Sequence, residues 1–371
     1  MEDHDEDWEE EEEGAARSFL YRELVLSGFY SPEGVVGVPP DDHSEDHFEF
    51  SPRPPGNYIG VDYVRTFSSF SFVNRNLLPD WLRLSALDLH PRVVFDRMEE
   101  SDDGDQVKLV CQDFWARLNP GSVDRLMLRV GQFVIPYGVN PILAPRQRFL
   151  LPLEATDLGL KWDWGLDLKG PVGQYDWEFA ATIGSGEALR SPHLFDSSDR
   201  TSYLVTGRIG APTYWDFQYG FSFLYGDLPT IRAAKLMGEV AVSRWRVGLD
   251  TFHKYGTYLM SGLQATYGQD GFTGDHRFVR ISGGKTADVL GYRAWVDWVV
   301  PQHLDLRFAA QFESIIRDLS KSNTDDTAVI LEASYSLTTS TTVTLDHRVE
   351  LNRSMGDEND AFFFTFVYYG L

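Results

Sequence analysis

The sequence predicts an all-β fold, a transmembrane antiparallel β-barrel of sixteen to eighteen strands with eighteen favoured, and three observations carry that prediction. Apolar and polar residues alternate with period two, which gives each strand one greasy and one polar face. The alternating stretches run to about 10–13 residues, where globular strands average about 5–6 and a tilted bilayer-crossing strand needs about 9–11. The connections also differ in kind, short at one end of the strands and longer, mostly polar or acidic, at the other.

The alternation is clearest late in the chain. Leu304, Leu306, Phe308, Ala310 and Phe312 interleave with Asp305, Arg307, Ala309 and Gln311. Val343, Leu345, Val349 and Leu351 interleave with Thr344, Asp346, Arg348, Glu350 and Asn352, with His347 breaking the apolar face. Phe217, Tyr219, Phe221, Phe223 and Tyr225 do the same against Gln218, Gly220 and Ser222. In order, the expected strands are 18–30, 57–67, 81–97, 106–118, 124–136, 162–170, 175–183, 202–211, 214–226, 232–242, 244–255, 257–267, 275–285, 289–299, 303–316, 326–337, 341–353 and 360–371. The short connections are 119–122, 171–174, 211–213, Ser243-Arg244, 301–303 and 338–340; the long ones are 31–56, 99–105, 137–161, 184–201, 317–325 and 354–360. In this register Leu306, Phe308, Val349 and Leu351 meet lipid, and Arg307, Arg348 and Glu350 meet a water-filled lumen. Phe308→Arg should then impair assembly, and Arg307→Phe should alter conductance more than stability.

Composition agrees. The 371 residues include 25 Phe, 17 Tyr and 10 Trp, more than a soluble core of this size ordinarily takes and suited to aromatic girdles at two membrane interfaces. Mean hydropathy is −0.28, and no run approaches the roughly 18 apolar residues of a spanning helix, so a membrane passage would be made by strands. A formal charge of −23 argues against nucleic-acid binding, which wants a basic footprint. The lone Cys111 excludes an internal disulfide and covalent c-type haem, and no cofactor is expected. Residues 1–13 hold ten acidic residues and no Lys or Arg. This sets an expected division into an acidic, disordered tail (1–16) and a single barrel (17–371). The chain opens Met1-Glu2-Asp3-His4-Asp5 without a basic or apolar leader, so an export signal is expected to have been removed, or Met1 is not the natural start. His43 and His47 stand at i, i+4 among carboxylates, but in a Pro-rich acidic loop that reads as solvated, so no metal is expected. No nucleophile elbow or phosphate loop appears, and an enzyme is not expected.

Two local motifs point further. Leu128-Arg129-Val130-Gly131-Gln132-Phe133-Val134-Ile135-Pro136-Tyr137-Gly138 resembles the R-x-G-x-F-x-x-P-F-G strand of Gram-negative outer-membrane porins, in particular phosphate-selective porin-like families. Trp164 to Tyr175 resembles the hairpin that follows it there, and Gly207-Arg208-Ile209-Gly210 and Tyr219-Gly220-Phe221-Ser222 are also similar to the family. The chain closes on Ala361-Phe362-Phe363-Phe364-Thr365-Phe366-Val367-Tyr368-Tyr369-Gly370-Leu371, which resembles the C-terminal signal of outer-membrane barrels. It departs from that signal at Leu371, where Phe or Trp is usual. Lysine clusters of the kind that would support phosphate selectivity are absent from the loops.

The expected function is a water-filled channel for passive diffusion of small polar or charged solutes across the outer membrane. Its partners would be the lipid bilayer and further copies of itself in a homotrimer. The alternative is a barrel sleeve around a multihaem cytochrome. Loop 139–161 is expected to form the constriction, because its apolar Ile142-Leu143-Ala144-Pro145 and Phe149-Leu150-Leu151-Pro152-Leu153 need a surface to pack on. Arg146 and Arg148 would then enter the lumen beside Arg125 and Arg129, opposed by Glu154 and Asp163, with Arg307, Arg348 and Glu350 on the lumen wall.

Overall fold

The structure, a computed structural model, describes residues 18–31, 47–49, 57–67, 71–79, 82–95, 107–120, 126–138, 162–184, 203–212, 214–229, 241–273, 286–352 and 361–370. In chain order the strands are β1 (Ser18–Ser31), β2 (His47–Glu49), β3 (Asn57–Thr66), β4 (Leu82–Phe95), β5 (Val107–Pro120), β6 (Met127–Val134), β7 (Trp162–Val172), β8 (Tyr175–Thr182), β9 (Tyr203–Gly210), β10 (Phe217–Pro229), β11 (Ala241–Tyr255), β12 (Leu259–Thr273), β13 (Thr286–Val300), β14 (His303–Ile316), β15 (Asp325–Thr338), β16 (Thr341–Asn352) and β17 (Ala361–Gly370). Each pairs antiparallel with its sequence neighbour from β3 to β17. β1 closes the ring, pairing with β17 from Arg22↔Gly370 to Tyr30↔Phe362 and with β3 from Ser18↔Arg65 to Val25↔Tyr58. β2 lies on the same edge of β1 as β3, so the two make one interrupted wall strand. The barrel therefore has sixteen strands, the lower end of the expected range.

One of the two surplus strands has a physical explanation. The expected turn at Ser243-Arg244 lies inside β11, where the register runs unbroken from Ala241↔Thr273 to Tyr255↔Leu259. Ser-Arg carries no turn chemistry. The chain reverses at 256–258, between the expected strands 244–255 and 257–267, where Gly256 supplies the positive φ of 66° that a side chain resists. β11 pairs directly with β10, so no wall strand stands between them; residues 232–240 of the expected strand 232–242 lie outside the described residues. The expected strand 275–285 lies outside the described residues, as does the acidic tail. The connector between β3 and β4 holds an unexpected short helix, α1 (Phe72–Asn76), capped by Ser71, whose side chain accepts from the Asn74 amide. The Asn74 side chain is tied to the Leu84 backbone in both directions, at 2.7 and 3.0 Å.

The wall is inverted relative to a soluble protein. Phe217 and Phe308 are 49% and 41% exposed on the outer face, while inward Gln218 and Glu313 are fully buried. Leu351 is likewise exposed, and Arg307, Arg348 and Glu350 lie on the inner face, as the alternation requires. Apolar surface outside and charge inside is stable where the outer solvent is hydrocarbon. Aromatic pairs gather at two levels. Tyr175–Tyr219, Phe217–His253 and His253–Tyr255 sit near the short-turn end; Tyr203–Tyr225 and Trp245–Tyr267 sit toward the long-loop end. On β11, Trp245 and Tyr255 are about 33 Å apart along the strand. At a tilt of about 40° that is roughly 25 Å along the barrel axis, matching the apolar band of such barrels. Circular dichroism in detergent should accordingly be β-dominated, and the band should shift on gels between unheated and boiled samples. A strongly helical spectrum would refute the fold.

Candidate functional site

The site begins where β6 ends. On its inner face Arg129 meets Asp167 at 2.7 Å and Glu178 at 2.8 Å. Lys169 adds a contact to Glu178 at 3.4 Å, and the Arg129 guanidinium lies 4.7 Å from the ring centre of the buried Phe133. Gly131 takes φ 131°, and a Cβ there would come within 2.0 Å of the Phe114 carbonyl oxygen. The strand can approach β5 this closely only with glycine.

Beyond Val134 the chain leaves the wall and enters the lumen. Ile135 and Tyr137 are buried, 1% and 3% exposed, in a cluster with the inward Leu204 of β9 and Leu224 of β10. Tyr137 hydrogen-bonds through its hydroxyl to Thr266 on β12. Its ring lies over Gly248 of β11, where a Cβ would reach to 3.0 Å from the hydroxyl oxygen. The Gly138 amide donates to Ser222 Oγ of β10 at 2.9 Å. Gly138 has φ +58°, and a Cβ on it would meet the Gln264 amide at 2.1 Å. Pro136 between them brings no N–H that would need an acceptor. Residues 135–138 thus leave β6 and rest on the inner wall three to six strands further round the ring. The anchors Ser222, Gly248, Gln264 and Thr266 all fall in the middle parts of their strands, so the segment descends well inside the barrel.

The structure places Arg129, Asp163, Arg307, Arg348 and Glu350 on the inner face; Arg125, Arg146, Arg148 and Glu154 lie outside the described residues. Asp163 does not oppose Arg129. The register sets Asp163 across from Phe133 and Asp167 across from Arg129, and Asp163 accepts the backbone amides of Trp164 and Gly184, both at 2.8 Å. It secures the top of the β7–β8 hairpin. Arg307 pairs with Asp297 on β13, and Arg348 with Glu350 along β16 at 2.8 Å.

Much of the remaining wall charge is paired as well. Arg208 reaches over Gly220 to Asp250 at 2.7 Å, through space that a Cβ on Gly220 would occupy. Arg244 and Arg246 both contact Asp270 at 2.8 Å. Glu23 accepts from Tyr58 at 2.7 Å and from Arg92 at 3.1 Å, and lies 2.7 Å from His90. Sequence reasoning missed the anchors Ser222, Gly248, Gln264 and Thr266. The available signal was their small or polar character at inward positions, where larger charged residues stand nearby.

Solved structures similar to this one include barrels of the same kind. The outer-membrane channel DcaP of Acinetobacter baumannii superposes with a TM-score of 0.59 at 11% identity, over 96% of this chain and 98% of that one. This is the fold of the outer-membrane porins. OmpT of Vibrio cholerae, in its trimer form, gives 0.57 at 11% identity over 96% and 99%. The anion-selective porin from Comamonas acidovorans gives 0.56 at 10% identity over 96% and 100%. No protein-family model matches the chain, and no curated protein matches it in sequence. The porin-type barrel is thus shared as architecture.

Proposed function

We propose that the protein is an outer-membrane channel for passive diffusion of small polar or charged solutes, narrowed by the segment that follows β6. The observation that carries this reading is the anchoring of residues 135–138 on the far inner wall of a sixteen-strand barrel, with charged residues along that wall. A barrel of this size encloses an aqueous bore, and a segment laid across it sets the narrowest section. The short turns would then face the periplasm and the long acidic loops the outside. The same segment occupies space that a haem protein filling the bore would need, so the sleeve reading gains nothing from the structure. A homotrimer fits the trimer form of one structural neighbour. The resemblance to phosphate-selective porin-like families would bring small anions within that class of solutes.

Residues 139–161 continue from the anchored base, and their arginines would line the constriction beside Arg129. Arg129 itself is held by two carboxylates, so anion preference would rest on Arg146 and Arg148. The double change Arg146→Ala, Arg148→Ala should raise single-channel conductance and move the reversal potential in a salt gradient toward cations. Wild-type values for both would place the constriction elsewhere, and a folded barrel that passes no current would overturn the channel reading.

A further inference from the structure

The inner wall below the anchored segment carries groups that the constriction does not use. Registers set them in rows across β11, β12 and β13: Asp250, Gln264 and Arg293, then Phe252, Gly262 and Trp295, then Lys254, Met260 and Asp297. The anchored Gly138 lies against Gln264 in the upper row, so the middle row is the next layer toward the short turns. There Gly262 leaves a gap that the Trp295 indole fills. A Cβ on Gly262 would lie 2.1 Å from that ring. The indole and the Phe252 ring are stacked, 27° apart in plane with centres 6.5 Å apart. Phe252, 2% exposed, backs the indole from two strands away, and Trp295 is partly exposed on the lumen side of the wall.

Cations flank these rings. The Arg293 guanidinium lies 5.1 Å from the Trp295 ring centre and Lys254 Nζ 5.7 Å from that of Phe252. Of the nearby carboxylates, Asp250 holds Arg208 and Asp297 holds Arg307, while the exposed Asp216 stands across from Lys254, its backbone carbonyl accepting the Lys254 amide at 2.8 Å. Lys254 has no ion-pair partner among the described residues. Arg293 donates to Gln264 at 3.1 Å and faces Glu313 in register, while its buried Nε finds no acceptor. Lys254, partly exposed, is thus the cation that a solute on the indole can reach, Arg293 being 3% exposed.

We propose that Trp295, backed by the buried Phe252, forms a stacking subsite beneath the constriction for planar anions, an aromatic carboxylate being the class that fits. The ring of the solute would lie on the indole face and its carboxylate would turn toward Lys254. This rests on the channel reading for access, since the solute reaches the platform by passing the segment anchored above it.

The test uses the full chain in planar bilayers and in detergent, with benzoate as probe and cyclohexanecarboxylate as a control of equal charge and similar size without a flat face. Benzoate should interrupt the current at concentrations about tenfold below those of the control, the order expected of one aromatic stacking contact. Trp295→Leu should abolish the difference between the two probes. Lys254→Gln should weaken benzoate while leaving the weak binding of uncharged benzyl alcohol in place. Phe252→Leu supplies the same reading should Trp295→Leu lack the heat-dependent gel shift of a folded barrel. Equal blocking by both probes, or a preference for benzoate that survives Trp295→Leu and Phe252→Leu, would overturn the subsite. Calorimetry in detergent reads binding without current. Benzoate binding by a barrel that does not conduct would overturn the channel and leave the subsite standing; conduction of potassium chloride without benzoate preference would do the reverse.

Discussion

Phe308→Arg should stop the barrel from assembling, and its inner neighbour Arg307→Phe should be nearly as damaging. Phe308 is exposed on the outer face and stacks on Trp298, ring centres 6.1 Å apart at 24°. An arginine there faces hydrocarbon, at about 2–4 kcal/mol near the bilayer midplane and less toward the interfaces, and the stacked pair is lost with it. For Arg307 the structure reverses the expectation drawn from alternation alone. That expectation placed Arg307 in open lumen water, so that Arg307→Phe would change conductance more than stability. Arg307 is instead paired with Asp297, which is 4% exposed. Replacing the arginine strands that carboxylate against the wall, and breaking a buried pair from one side costs about 3–5 kcal/mol. That figure is an upper bound here, because the Arg307 side chain is 21% exposed and solvent screens part of the interaction. The fraction of heat-shifting barrel recovered after refolding checks both variants. Wild-type recovery of Phe308→Arg would mean that the inner and outer faces have been exchanged, since a register slip of one residue does that. Full recovery of Arg307→Phe would mean that the Asp297 pair contributes nothing.

Gly138→Val should widen the channel. The valine would have to adopt a positive φ, which costs an L-residue roughly 1–2 kcal/mol and a β-branched one more. Its Cβ would also run into the Gln264 amide, 2.1 Å away. The amide of residue 138 would then lose Ser222, and Tyr137 its place over Gly248 and its bond to Thr266. Each hydrogen bond contributes about 0.5–1.5 kcal/mol. What remains is the packing of Ile135 on Leu204 and Leu224, which does not fix the segment in one position. The expected result is a conductance raised by roughly twofold or more, with added open-channel noise, because the narrowest section limits flow. The gel shift should stay at wild type, since β6 ends four residues earlier and its ladder to β7 is untouched. Unchanged conductance with a displaced segment would remove the constriction from this place.

The amino-acid sequence by itself determined the class of the fold and the side of each strand that meets lipid. Period-two alternation assigns faces one residue at a time, as at Phe308 and Arg307, and needs no knowledge of neighbours. Turn chemistry likewise located the Gly173-Gln174 and Thr339-Ser340 reversals, because φ preferences are local. The motif from Arg129 to Gly138 marked where the wall would be left. Its glycines at 131 and 138 answer to a close strand approach and a positive φ, although neither reason can be read from the letters. Tertiary structure alone decided the rest. Whether Ala241 to Tyr255 is one strand or the edges of two depends on its partner, because alternation continues unchanged through Ser243-Arg244. Which carboxylate meets which arginine depends on the stagger between strands, which puts Asp167 rather than Asp163 opposite Arg129 and carries Arg208 over Gly220 to Asp250. The landing place of Tyr137 and Gly138 is more remote still. Contact with Ser222 and Thr266 comes from closing the sheet into a ring, and only that curvature brings residues some eighty to one hundred and thirty positions apart into hydrogen-bonding distance.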